Sequence, residues 1–117
     1  MIKKIAFLVV LSITFGCSEE IQRFPKPSNL IPRDTMVMFL KDISILESHV
    51  KSQFPQVNQN YKILRKSGQI VLKKYNLDTT RLNSSMSYYG SRQKEMQSIY
   101  SQVLDSINRQ LAELQSK

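Results

Sequence analysis

The chain has 117 residues, of which 17 are basic and 9 acidic, and its formal net charge is +8. This length suits one domain rather than two. The single cysteine excludes an internal disulfide, so a compact fold must rest on an apolar core, and the presence of only three glycines excludes a glycine-rich phosphate-binding loop.

The N-terminal residues have the order of a secretion signal. Two lysines precede residues 5–15, which are almost entirely apolar. An apolar run of this length matches the central region of a signal peptide and is too short to cross a membrane as a helix. Gly16 supplies the small residue before the cleavage site, and Cys17 follows it. We therefore expect residues 1–16 to be a signal peptide that is removed.

The position of Cys17 predicts lipid attachment, because its thiol can be alkylated by a diacylglyceryl group. The surrounding residues resemble the bacterial lipoprotein box, although Thr14 and Phe15 differ from the leucine and the small residue that are usual there. The alternative is a buried cysteine behind an ordinary signal peptide, since free cysteines are among the most buried residues. We expect lipidation, with the acyl chains holding the protein in the outer membrane.

The residues after the cysteine indicate the surroundings of the protein. Ser18, Glu19 and Glu20 resemble the acidic export signal that some Gram-negative bacteria place at the start of surface-exposed lipoproteins; a solvated acidic linker is the alternative. Without the signal peptide, 15 basic and 9 acidic residues remain, a net charge of +6. In the cell envelope this charge would meet lipid phosphates or acidic glycans, not nucleic acid, or would simply be a solvated surface.

Prolines separate a tether from a domain in the remaining chain. Pro25, Pro27 and Pro32 lie in a polar stretch, and each proline restricts both itself and the residue before it. We therefore expect residues 17–32 to form an extended, flexible tether and residues 33–117 to form the helical domain.

Apolar residues at three- and four-residue steps predict amphipathic helices throughout this domain. The first helix runs from Arg33 to about Gln53, and Pro55 ends it. The second spans residues 57–75, where Gly68 would allow a close helix crossing or a kink. Its outer face carries three lysines that are either solvated or rest against anionic headgroups: Lys62, Lys66 and Lys73.

A turn at residues 76–78 precedes two further helices. Asp78 or Thr79 can cap a short third helix, which Gly90 closes. The last helix starts near Ser91. No segment shows the alternation of a half-buried strand, so we predict an all-α fold, a small bundle of three longer helices and one short one. The apolar seam predicted for the last helix consists of Met96, Ile99, Tyr100, Val103, Ile107, Leu111 and Leu114.

Residues 27–37, 72–89 and 99–104 carry a resemblance to a known family. In this order, and behind a lipoprotein signal, they resemble an uncharacterised lipoprotein family, the domain of unknown function 4296. The chain differs from the family at Asn76, where glycine is usual, and at Leu82, where phenylalanine is usual. The resemblance implies an envelope lipoprotein and brings no known activity or catalytic residue.

Few side chains suggest chemistry. Glu47 projects from the apolar face of the first helix, where a carboxylate must be hydrogen-bonded, paired or protonated. It is either a buried acid with a raised pKa in a pocket or, as we prefer, a structural hydrogen-bonding partner. His49 is the only histidine, so we expect it to be solvated, with no metal site. The serines form no nucleophile motif, and we expect neither an enzyme nor a cofactor.

The five tyrosines are the remaining candidates for binding. They could line a groove for a glycan or a peptide, but most of them fall on core faces, which favours packing. Tyr88 lies off the apolar face beside Gly90, where it could reach a partner. We expect a non-catalytic, lipid-anchored binding or scaffold module with an envelope protein or glycan as its partner. The alternative is an envelope chaperone or assembly factor that holds polypeptide between its helices.

Overall fold

The computed structural model describes residues 23–117, and this part of the chain contains four α-helices and no strand. The prediction of an all-α bundle of three longer helices and one short helix is confirmed. The predicted signal peptide with Gly16, the lipidation site Cys17, and the acidic residues Ser18, Glu19 and Glu20 lie outside the described residues. The helices are α1 (Arg33–Gln53), α2 (Val57–Lys74), α3 (Thr79–Gly90) and α4 (Gln93–Gln115).

Helix α1 is the central element, because it packs against both α2 and α4, while α3 packs against α4. The guanidinium of Arg33, at the start of α1, donates to the side chains of Ser98 and Gln102 on α4. Fully burying an aliphatic or aromatic side chain contributes about 1.5–3 kcal/mol, so the apolar faces hold the helices together. The buried core consists of Ile31, Met36, Val37, Phe39, Leu40, Leu72, Leu77, Tyr89, Ile99 and Val103.

Prolines mark both ends of α1. Pro32 is the residue just before the helix, and its carbonyl accepts the Met36 N–H at 2.9 Å. At the other end the Phe54 N–H donates to the Val50 carbonyl at 2.8 Å. Pro55 follows, and because it has no N–H it cannot continue the hydrogen-bonding pattern. The predicted boundaries of α1 are confirmed.

Helix α2 ends in a Schellman motif, in which two backbone N–H groups beyond the helix bond back to it. The Leu77 N–H donates to the Leu72 carbonyl at 2.9 Å, and the Asn76 N–H donates to the Lys73 carbonyl at 3.0 Å. Asn76 has a φ of 54°, the left-handed conformation that this motif requires. Asparagine tolerates this conformation better than most residues, although glycine suits it best.

Helix α3 begins at a side-chain cap. A carboxylate oxygen of Asp78 accepts the Arg81 N–H at 2.7 Å, so Asp78 rather than Thr79 is the cap. Gly90 is the last residue of the helix, as predicted, but its φ is not positive. The turn into α4 is closed by right-handed backbone, with the Arg92 N–H donating to the Tyr89 carbonyl at 3.0 Å.

Two details of α2 differ from the prediction. No atom of another element lies within 4 Å of the position that a Cβ on Gly68 would occupy, so this glycine does not allow a close helix crossing. Tyr61, which was expected on the buried face, is exposed. The buried part of α2 lies toward its C-terminal end, at Leu72, so the first turns of the helix have little to pack against.

Only part of the predicted seam of α4 is buried. Ile99 and Val103 are buried, and Met96 and Ile107 pack against the core at its edge. Tyr100, Leu111 and Leu114 are exposed, as is Leu104 beside them. Apart from Tyr100, the seam therefore packs as far as Ile107, and its last two residues, Leu111 and Leu114, face solvent.

Candidate functional site

The described part of the predicted tether contains neither helix nor strand, and it is bound to the helices. We call residues 23–32 the strap. Ile31 is completely buried, and both of its backbone polar groups are bound by α3. Its N–H donates to the Ser85 hydroxyl at 2.9 Å, and its carbonyl accepts from the Tyr89 hydroxyl at 2.6 Å. The folded unit therefore begins before residue 33, and the predicted tether extends too far into the domain.

A single stripe of α3 holds this end of the strap. Arg81 donates from Nε to the Asn29 carbonyl at 2.8 Å. Arg81, Ser85 and Tyr89 are spaced by four residues, which places them on one face of the helix. Buried backbone groups need hydrogen-bonding partners, and because the strap forms no regular structure of its own, this stripe supplies them.

The other end of the strap is bound at the junction between α3 and α4. The Phe24 N–H donates to the Ser91 hydroxyl at 3.2 Å, and its carbonyl accepts from the Arg92 guanidinium at 3.0 Å. The same guanidinium donates to the Tyr88 carbonyl at 2.9 Å. It also lies 3.7 Å from the centre of the Tyr88 ring, a cation–π contact.

Tyr88 lies beside Gly90, at the position where it was predicted to be able to reach a partner. Arg92 covers one face of its ring. Its other neighbour is the Tyr89 ring, which meets it edge to face with 5.3 Å between the ring centres. Tyr88 is half-buried, and it packs the strap junction rather than projecting freely.

Glu47 is not the buried acid that its position suggested. Its side chain is 47% exposed, and it forms an ion pair of 2.7 Å with Lys51 one turn further along α1. Position 47 is in line with the apolar residues of α1, but the neighbouring elements leave its side chain about half exposed, so the carboxylate reaches solvent. Such a pair within one helix contributes about 0.3–0.5 kcal/mol.

Asp42, rather than Glu47, is the acidic residue of α1 that contacts another helix, and no pattern in the sequence indicated it. Its carboxylate accepts from the Lys74 ammonium at 2.7 Å and from the Tyr75 hydroxyl at 2.6 Å, both at the end of α2. The Tyr75 ring meets Phe39 edge to face. The partners lie more than 30 residues apart in sequence, so no local pattern indicates the pair.

The donors around Asp42 decide its ionisation. Burial raises the pKa of Asp42, but the hydrogen bonds from Lys74 and Tyr75 and the charges of Lys74 and Lys41 together lower it further, so the pKa lies below its ordinary value. Burial and the hydrogen bond to the Asp42 carboxylate raise the pKa of Tyr75, which keeps its hydroxyl a donor. This cluster joins α1 to α2.

The other candidates do not converge on a site. His49 is exposed. Within residues 23–117 no group of three or more histidine, cysteine or acidic side chains could hold a metal ion, and no helix in this range is long and apolar enough to span a membrane. Tyr88 and Tyr89 are in contact on α3, and the other tyrosines lie on different elements: Tyr61 is on α2, Tyr75 at its end, and Tyr100 on the exposed side of α4.

A comparison with protein families gives one result. The family model described as Domain of unknown function (DUF4296) matches residues 27–113, which run from the strap to the last turns of α4. No curated protein and no solved structure matches the chain.

Proposed function

Because the chain belongs to the DUF4296 family, whose description carries no activity, we propose its function from its own residues: a non-catalytic, lipid-anchored binding module of the outer membrane. Cys17, which follows the apolar N-terminal segment directly, would carry the acyl chains. Two or more chains make such an anchor stable. The described domain would then be the part that meets a partner.

The observation that carries the binding role is the apolar row on α4. The row consists of Tyr100, Leu104, Leu111 and Leu114, which are between 46% and 65% exposed. Successive members are four, seven and three residues apart. Residues at these steps form one stripe of a helix. Exposed apolar side chains gathered in a stripe are typical of protein-binding surfaces, whereas scattered ones need no explanation.

The partner that fits this row is a protein with an apolar helix or groove. The neighbouring positions Ser101, Asn108 and Gln115 are polar but uncharged, so they oppose neither an acidic nor a basic partner. The alternative, a chaperone that holds polypeptide in an aromatic groove between helices, requires tyrosines that face one another. In the described domain the two tyrosines whose rings meet, Tyr88 and Tyr89, are neighbours on the same helix, and the others lie on different elements, which favours the binding module.

The anchor is tested by acyl labelling in cells. Labelled palmitate should enter the wild-type protein and should not enter Cys17→Ala, because the alanine variant has no thiol to alkylate. Equal labelling of both proteins would remove the anchor from the proposal. The surface position suggested by Ser18, Glu19 and Glu20 is tested with protease added to the same intact cells. The protease should digest the domain, and complete protection would place the protein on the inner leaflet of the outer membrane instead.

The binding row is tested with a photoreactive amino acid at single positions of α4. Leu104 and Leu111 belong to the row, while Arg109 lies on the opposite side of the same helix and is also exposed. Illumination should give the same discrete adduct from positions 104 and 111 and none from position 109. Equal adducts from all three positions would mean that α4 has no specific binding face.

A further inference from the structure

We infer that the α3–α4 junction is the end of the domain that contacts the membrane, with Phe24, Tyr88 and Arg92 at the level of the lipid headgroups. The inference rests on the proposed lipidation of Cys17. It adds an orientation, which an anchor alone does not provide, because a domain on a long free tether can turn in any direction.

The length of chain between the anchor and the first fixed residue supports this orientation. Phe24 is bound to the junction through both its N–H and its carbonyl, and it follows Cys17 by seven residues. A fully extended chain spans at most about 3.3–3.6 Å per residue, so the junction stays within about 25 Å of the anchor. A tether that ended at Arg33 would reach about twice as far.

The residues at this end suit a membrane interface. Phe24 is 48% exposed even though its backbone is bound, and Tyr88 beside it is half-buried. Tyrosine is enriched at the level of lipid headgroups, and phenylalanine is among the residues that insert into the headgroup boundary. Among the described residues 23–26 and 91–95, four are basic and one, Glu95, is acidic, and each basic residue near an anionic surface contributes about 1 kcal/mol of attraction. The cations are Arg23, Lys26, Arg92 and Lys94.

Helix α2 is the competing basic surface. It carries Lys62, Arg65, Lys66 and Lys73 on exposed positions and has no acidic residue. However, α2 packs on α1, whereas the strap binds α3 and the junction. The short connection to Cys17 therefore favours the junction, and we take anionic phospholipid as the surface that it contacts.

The test places a fluorophore at three exposed glutamines of the lipidated full chain. Gln93→Cys lies at the junction, Gln69→Cys on the basic face of α2, and Gln110→Cys near the end of α4. The protein is bound to vesicles of phosphatidylcholine and phosphatidylglycerol that contain a lipid with a nitroxide on its headgroup. Quenching at position 93 should exceed quenching at positions 69 and 110 at least twofold. Equal quenching, or the strongest quenching at position 69, would overturn the orientation.

One further substitution, made in the Gln93→Cys protein, tests the role of the strap. Arg92→Gln removes the cation over Tyr88 and weakens the bond to the Phe24 carbonyl, so quenching at position 93 should fall toward the value at position 110. Unchanged quenching with an unchanged helical circular dichroism spectrum would show that the strap does not set the orientation. Flotation separates the two proposals: protein that does not float with the vesicles overturns the anchor as well, whereas floating protein with uniform quenching overturns only the orientation.

Discussion

Two neighbouring tyrosines on α3 have different roles, which their hydroxyl contacts distinguish. The Tyr89 hydroxyl donates to the buried Ile31 carbonyl, and burial and the charge of Glu95 raise the pKa of Tyr89, so it remains a donor. Tyr88 contributes its ring, as the surface beneath Arg92, and its hydroxyl has no hydrogen-bonding partner among the residues that the structure describes.

This difference predicts the effect of two matched substitutions. Tyr89→Phe should lower the free energy of unfolding by about 1–2 kcal/mol, because it leaves the buried carbonyl of Ile31 without that donor. Tyr88→Phe removes the hydroxyl group of the neighbouring tyrosine and should change the free energy of unfolding by less than about 0.5 kcal/mol. Urea unfolding of both variants measures the difference, and equal losses would contradict the role of Tyr89 in binding the strap.

Asp42 gives the protein a predictable acid sensitivity. Its folded pKa lies below the ordinary value, so its contribution to stability is complete above the unfolded pKa of about 3.9 and is lost as the pH falls through the folded pKa. Asp42→Asn should therefore lower the free energy of unfolding by about 1 kcal/mol at pH 7, where the carboxylate is ionised.

The difference between wild type and Asp42→Asn should stay constant from about pH 8 to pH 5 and shrink below about pH 4. Glu47→Gln serves as the control, because Glu47 is more exposed than Asp42 and pairs only along its own helix; its effect should be below about 0.5 kcal/mol at every pH. A pH-independent difference for Asp42→Asn would show that its contacts do not depend on the charge.

The contrast between Glu47 and Asp42 shows what the sequence could predict about single residues. Helical spacing placed Glu47 on the side of α1 that carries apolar residues. Spacing does not show which part of that side the neighbouring elements cover, and this coverage decides whether a carboxylate there is buried. Asp42 depends on Lys74 and Tyr75, which come from another helix, so only the packed fold identifies it.

Two residues of α2 and its C-terminal turn show how local backbone geometry sets the effect of a substitution. Gly68 has right-handed backbone, and no atom of another element would meet a Cβ there. Gly68→Ala should therefore raise the free energy of unfolding by about 0.5–1 kcal/mol, since alanine loses less conformational freedom in a helix. Thermal unfolding followed by circular dichroism measures the shift.

Asn76 provides the opposite case and serves as the control. Its φ of 54° is a conformation that a Cβ opposes, so Asn76→Ala should destabilise the protein by about 1 kcal/mol, and Asn76→Gly should not. A loss of stability in Gly68→Ala would mean that α2 packs more closely at this position than the structure indicates.

The helices were predicted well because their boundaries are set by nearby residues. The helix ends are set by Pro55, Asp78 and the turn at Asn76, which lie within a few positions of them, so the sequence alone predicts these ends. The packing of α4 was predicted only in part. The same periodicity continues from Met96 to Leu114, yet burial stops where the neighbouring helices no longer cover it, and that limit depends on how the helices are arranged in space.

The arrangement of the helices separates different kinds of surface. Helix α2 carries five basic residues and no acidic one, α4 carries the exposed apolar row, and the junction between α3 and α4 carries the bound start of the strap. These surfaces lie on different elements, so a membrane at the junction and a protein on α4 would not compete for the same residues.

The strap also bears on the order in which the chain folds. Three of its hydrogen bonds join residues that are 54, 58 and 68 positions apart. Their partners are Ser85 and Tyr89 on α3 and Arg92 at the junction before α4. Contacts between distant residues form slowly, because closing a long loop costs entropy before the contact stabilises it. The strap can therefore bind only after α3 has formed, so residues 23–32 are fixed in place only after residues that are synthesised much later.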